Sequence, residues 1–391
     1  MIRIDELYDN TFWPWMQEHI PGTRMFYCDP PGHTGIDCLF NHGDINRIEF
    51  EYIFMHDQEP VDTEMYQSLF DEVKQRNNDL HNGVVENPDK NTVMGKTTKK
   101  HWVTLCKKTN GSVVVSEKGK FVDDLYEKYG WRSYYYFWHG WASLDWYRGY
   151  HRTFLIDRAA ERKPSKTFLS PNRIIGGHRD HRVLFLYHVF KNNLQHNHIS
   201  APRTCPEEHT DITHIAYKYT NRYPDITSVL ATDELPVMFA REDTQKMSSC
   251  WLDNFNLAAD SMFYVPTETV YWGKRLHLTE KTFKPIALEM PFILVAPAHS
   301  LEYLRSYGFK TFGNVIDESY DDEEDDFTRL EKIAKLLTNI EGLSAKEKQQ
   351  IYQHCIPAAT YNYNHFYYGS FEQILWQELK VMLAQIKQDY V

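Results

Sequence analysis

No apolar run in this chain of 391 residues approaches the length needed to cross a bilayer, roughly 20 residues; the longest, residues 291–298, suits a single buried strand. The opening Met1-Ile2-Arg3-Ile4-Asp5-Glu6 has no apolar signal core. Six cysteines (Cys28, Cys38, Cys106, Cys205, Cys250 and Cys355) lie far apart with no C-x-x-C, which argues against a structural zinc site and a disulfide framework. Positive charge is also short: 43 Lys and Arg stand against 54 Asp and Glu, a net charge of -11 with histidine neutral. A general nucleic-acid coat is therefore disfavoured, since its affinity comes from many cation–phosphate contacts. There is no G-x-S-x-G and no cysteine in a motif context, so nucleophilic hydrolysis is not indicated. No central D-x-D follows an apolar strand, and the acidic run 317–326 lacks the glycine and spacing of a calcium loop. That run reads as a solvated helix start. These absences predict a soluble protein of a reducing, cytoplasmic compartment, with no membrane span and no metal.

What is present is a repeated alternation of strand and helix patterns. Residues 48–54 alternate apolar and polar side chains as a half-buried strand does, and residues 62–75 read as a helix. Strands at 112–115 and 133–138 bracket a helix at 121–129 closed by Gly130. A cluster of Arg, Lys, Glu and Pro around 159–165 marks a boundary. Beyond it come a strand at 167–169, a helix at 181–193 and a strand at 198–200. Next are strand-like segments at 261–265 and 268–271, a helix at 282–289 and a strand at 291–295. A helix opened by Ser300 as its N-cap and a strand at 309–312 complete the series. The tail is helical, with a capping box at Ser344 and Glu347. Such a chain is an α/β protein with covered parallel sheets. The predicted domains are 1–160, 161–345, and C-terminal helices at 346–391 packing on or between them.

In parallel sheets ligands collect at the carboxyl ends of strands, where helix N-termini point free N–H groups. Thr279-Glu280-Lys281-Thr282 stands at the mouth of one predicted helix, where Lys281 can neutralise a diphosphate and a carboxylate can grip ribose hydroxyls. An exposed charged helix start reads equally well. The basic group Asn172-Arg173-Ile174-Ile175-Gly176-Gly177-His178-Arg179-Asp180-His181-Arg182 follows a strand and leads into a helix. Its glycines permit close backbone approach, and Arg173 and Arg179 can clamp a diphosphate; a surface turn with salt-bridged arginines is the other reading. In the first half, His56-Asp57-Gln58-Glu59 ends a strand, and Asp57, Glu59 or His56 could serve as general base toward a hydroxyl. Asp145 is a further candidate base. His139 and Trp141, with Trp146 and Tyr147, could present faces to a sugar or pack as core.

The pair Val265-Pro266-Thr267-Glu268-Thr269 and Leu278-Thr279-Glu280-Lys281-Thr282-Phe283, continued by helix, Pro291 and strand, resembles the donor-binding signature of α-1,3-fucosyltransferases and exostosin-like transferases. The resemblance covers about thirty residues. It implies two Rossmann-like domains facing across a cleft (the GT-B arrangement), with a nucleotide-sugar donor held mainly by the second. It also implies that Lys281 binds donor phosphate and that Glu280 or Glu268 binds ribose, with Thr279 part of the same element. The loop 272–277 is longer and more basic than in that family. With the H-D-Q-E-P and T-E-K-T-F-K-P-I elements together, the chain also resembles glycosyltransferase-like proteins of large tailed phages. The expected co-substrate is a UDP- or GDP-linked sugar with no tightly bound cofactor. The expected acceptor is a glycan or a hydroxymethylated pyrimidine of phage DNA, which would have to be flipped from its helix. A non-catalytic carbohydrate- or nucleotide-binding protein, or a virion component, on the same scaffold is the alternative.

Overall fold

The computed structural model describes residues 3–20, 23–28, 52–57, 60–61, 112–152, 157–239 and 251–390. The predicted helix at 62–75, residues 48–51 of the first predicted strand, and Glu59 lie outside the described residues. The chain forms a mixed α/β protein with small parallel sheets, divided into two compact units: Gly140–Ile374, and Ile2–His139 with Leu375–Val391. No described helix is long and apolar enough to cross a membrane.

In the unit made from the two ends of the chain, four parallel strands lie side by side in sequence order. They are β1 (Thr23–Cys28), β2 (Tyr52–Asp57), β3 (Ser112–Val115) and β4 (Arg132–Tyr135). The valine run of β3 is buried along its length, as a strand covered on both faces requires. Helix α1 (Lys120–Tyr129) ends where Gly130 turns left-handed at φ 71°, letting its N–H reach the Tyr126 carbonyl at 2.8 Å. Strand β4 is shorter than the aromatic run 133–138 predicts, because helix α2 (Trp138–Trp146) starts within that run. Residues beyond 375 belong to this unit through hydrogen bonds: Tyr134 Oη donates to Asp389 at 2.8 Å, and the Phe137 N–H to Glu378 at 3.0 Å.

The central unit holds β5 (Lys166–Ser170) between β6 (His198–Ile199) and β7 (Ser261–Tyr264), all parallel. Among the described residues the sheet continues beyond β7 as two parallel bridges, Tyr264 to Phe292 and Thr267 to Val295. Helix α3 (His181–Lys191) has every residue up to Phe190 buried, so its apolar residues cannot form a single stripe. Helix α4 (Glu280–Ala287) follows the loop after β7, and α5 (Ser300–Ser306) follows the bridged segment. His299 (φ 65°), not Ser300, is the N-cap of α5; Asp321 reaches back to accept from the Leu301 N–H at 3.0 Å. The acidic run is thus only partly solvated: Asp321 is buried as a helix cap, whereas Asp325 caps α6 (Asp326–Glu341). Ser344 and Glu347 form the predicted capping box of α7 (Ala345–Tyr367), and α8 (Phe371–Tyr390) closes the chain.

The two units part at 139 and 140, upstream of the predicted boundary near 160. Residues 157–161 are tied into the central unit. Arg158 forms a two-pronged bond with the buried Glu289 (2.5 and 2.8 Å), and Tyr352 Oη donates to the Ala159 carbonyl at 2.9 Å.

Candidate functional site

The carboxyl ends of β5 and β7 are laced by short polar side chains. Ser170 Oγ donates to the Val265 carbonyl at 2.9 Å, and Thr267 Oγ1 to Asn172 Oδ1 at 3.0 Å. The Asn172 N–H in turn donates to Ser200 Oγ at 2.8 Å. This lattice satisfies backbone and side chains where three strands run out, and fixes the loops that follow them.

Glu268 stands in the loop after β7 and is completely buried. Its Oε1 accepts from the Thr279 N–H (3.1 Å), the Thr282 N–H (3.2 Å) and Thr282 Oγ1 (2.5 Å). Its Oε2 accepts from Thr279 Oγ1 (2.5 Å) and the Thr269 N–H (3.3 Å). A carboxylate held by five donors at the positive end of a helix is a strong anchor. The first turn of α4 therefore already carries an anion, supplied by the chain itself. Residues 268–271 are a loop rather than the expected strand: the Glu268 N–H still donates to the Val295 carbonyl at 2.9 Å, but its side chain binds the next helix and its carbonyl accepts from Arg182.

The remaining members of the predicted element gather around this clamp. Thr279 is the N-cap of α4, with its Oγ1 accepting from the Lys281 N–H. The Lys281 ammonium donates to Thr269 Oγ1 (3.1 Å), Thr279 Oγ1 (3.2 Å) and the Glu280 carboxylate (2.8 Å). Its side chain keeps 28% of its surface open, against 8% for Glu280. Lys281 is thus the outward-facing charge of the cluster.

Arg182, the last member of the basic group and ranked behind Arg173 and Arg179 as a clamp, is turned inward. Its guanidinium is buried and donates to the carbonyls of Ile174 (2.8 Å), Thr267 (2.8 Å) and Glu268 (3.2 Å). It thereby ties the glycine turn to the loop after β7. Burial lowers its pKa to about 9, and nearby Arg179 acts the same way; Glu268 and Glu280 oppose them. Beside it, His181 is fully buried and stacked on Tyr271 (centroids 4.8 Å apart, planes at 11°). Burial holds its pKa well below the ordinary value, so the ring is neutral. Asp180 accepts from Trp272 Nε1 at 2.6 Å and from Lys218. Its own side chain does not cap α3, contrary to what its position suggests.

Arg179 keeps 20% of its side-chain surface open and stands 3.6 Å from Glu207. Arg173, in the same turn, is half-buried. Glu268, Thr279, Glu280 and Lys281 are therefore one hydrogen-bonded group, and Arg182 links that group to the turn bearing Arg173 and Arg179.

The other candidates lie elsewhere. His56 and Asp57 are the last residues of β2, with Asp57 in register with Val115 of β3. Glu117, just past β3, is buried and accepts from the Val61 N–H at 2.9 Å. His139 is buried edge-on to Trp138, with centroids 4.9 Å apart. Trp141 is 1% exposed and Tyr147 is buried, so both are packed as core rather than offering a face. Asp145 is mostly buried and ion-paired with Arg148. Among the described residues, no group of three His, Cys, Asp or Glu side chains is arranged to hold a metal ion. No protein-family model, curated protein or solved structure matches the chain.

Proposed function

We propose that the protein transfers a sugar from a nucleotide-diphosphate donor, UDP- or GDP-linked, to a hydroxyl of a glycan or of a hydroxymethylated pyrimidine in DNA. One observation carries this reading. The outward-facing cation Lys281 and the arginine-bearing glycine turn are joined, through buried Arg182, at the carboxyl edge of one parallel sheet. That edge is where α/β sheets receive phosphorylated ligands.

In this reading Lys281, Arg179 and Arg173 take the charge that builds on the leaving diphosphate, the largest electrostatic demand of the reaction. Lys281 exchanges its hydroxyl contacts for phosphate oxygens. Glu280 stays beside it for the ribose. Glu268, whose oxygens are occupied by α4, acts as the anchor that aims Lys281 rather than as a ribose ligand. Asp57, Glu59 or Asp145 supplies the base. Each unit is read as Rossmann-like, with the donor assigned to the central unit, which also carries Asp145, and the acceptor to the unit formed by the chain ends. The charges that this mechanism uses are side chains, and its setting is the cytoplasm, that of the host for a phage protein.

A thermal-shift panel of UDP-, GDP-, ADP- and CMP-sugars, followed by assay of donor hydrolysis, tests the assignment. Stabilisation by one nucleoside-diphosphate sugar and slow release of its nucleotide are expected. Binding without turnover, with or without acceptors, would favour a non-catalytic binding protein, and no binding at all would end the proposal.

A further inference from the structure

The glycine turn of the central unit is already covered by an anionic tip. Residues 204–211 form a small hairpin pinned at its base. Thr204 and Asp211 make an antiparallel bridge, the Cys205 N–H donates to the Thr210 carbonyl at 2.9 Å, and Arg203 pairs with Asp211 at 3.1 Å. Left-handed His209 (φ 52°) completes the turn, and the exposed tip carries Glu207 and Glu208. Both acidic residues bear on the turn proposed to hold phosphate. Glu207 stands 3.6 Å from Arg179. The Glu208 carboxylate lies so close over Gly176 that a methyl group added there would overlap it, and one added at Gly177 would sit 3.0 Å away. A carboxylate is the nearest thing to a phosphate that a protein can supply, and an exposed glutamate can swing away at little cost.

We propose that the 204–211 hairpin is an internal competitor, whose tip carboxylates occupy the place of a diphosphate on the Gly176–Gly177 turn and must leave when one binds. The proposal rests on the phosphate role given to that turn above. Its function is to hold the arginine turn in shape while the site is empty and to set a threshold for weakly charged ligands. A monophosphate would displace it poorly, a diphosphate well.

The test is calorimetric titration of the intact protein with inorganic pyrophosphate, comparing wild type, the double variant Glu207→Gln with Glu208→Gln, and a control that removes the same charge at the exposed Asp233 and Glu234 (Asp233→Asn with Glu234→Gln). The hairpin variant should bind about tenfold tighter, the effect of losing two exposed charge contacts. The control should stay within about twofold of wild type, as screened distant charges do. Hydrogen exchange across 204–211 should also rise in wild type when pyrophosphate binds. Equal affinities, or a hairpin whose exchange does not change while pyrophosphate binds, would overturn the competitor and leave the phosphate site standing. A folded set of proteins of which none binds pyrophosphate would overturn both.

Discussion

Glu268→Gln keeps the shape of a buried side chain and removes only its charge. With the amide oxygen in place of Oε1, the bonds from the Thr279 N–H, Thr282 N–H and Thr282 Oγ1 persist as neutral ones, each roughly half as strong as its charge-assisted counterpart. The amide nitrogen then faces Thr279 Oγ1, which must turn to accept, and the Thr269 N–H, which cannot. The expected loss is about 2 kcal/mol. Glu268→Ala is harsher. It leaves the N–H groups of Thr269 and Thr279 and two hydroxyls without their acceptor, and the Thr282 N–H with the Thr279 carbonyl alone, in a site closed to water, for about 4–6 kcal/mol. Because a chain of two compact units need not unfold in one step, the assay is local. Hydrogen exchange of peptides covering 279–287 is followed by mass spectrometry beside urea denaturation of the whole protein. Exchange in α4 should accelerate modestly in the glutamine variant and strongly in the alanine variant. Were Glu268→Gln as protected as wild type but unable to bind a nucleoside diphosphate, the glutamate would be a ligand and not an anchor, and the reasoning would fail.

Two further outcomes follow from buried charges. Burial pushes the Asp321 carboxyl up to about 6, although the N–H groups of Leu301 and Glu302 pull the other way. A folded pKa above the unfolded value of about 3.9 makes its contribution most favourable in acid and lost as pH rises from about 4 to 6, by about 3 kcal/mol. Asp321→Asn keeps an acceptor for the cap and should lack that slope, so denaturation midpoints of the two proteins should diverge across this window; parallel profiles would contradict it. Arg182→Met removes the donors to three carbonyls and should cost about 3 kcal/mol in chemical denaturation. A loss below about 1 kcal/mol would show that Arg182 does not tie the turn to the loop.

Local patterns were legible in the sequence, and long-range partnerships were not. The valine run of β3, the Gly130 stop, the Ser344 capping box and the alternation around β5 and α3 all follow from residues within a few positions of one another. The T-E-K element was recognisable as a helix mouth, and Thr279 caps it. Its pairing with Glu268 was suggested only by resemblance, since eleven residues and a loop separate the two; nothing in the spacing shows that the glutamate would spend its oxygens on the helix. Residues 309–312 are expected as a strand, but Phe309 and Phe312 are buried by packing on Phe283, Phe371 and Phe292 instead of by pairing. Asp321 reads as solvated because seven other acids share the run 317–326, and only the fold brings the start of α5 to it. The boundary was drawn at a charged cluster whose arginines in fact reach inward: Arg162 donates to the carbonyls of Leu288 and Asp157.

The central claim is that Lys281 receives a pyrophosphate. Its most direct measurement is the affinity of wild type and Lys281→Ala for UDP and GDP by calorimetry, with circular dichroism of both proteins as a check on folding. One of the two nucleotides should bind wild type, and the folded variant should bind it at least about tenfold more weakly, as expected on losing a charge-assisted contact. Equal affinity in the two proteins would contradict it.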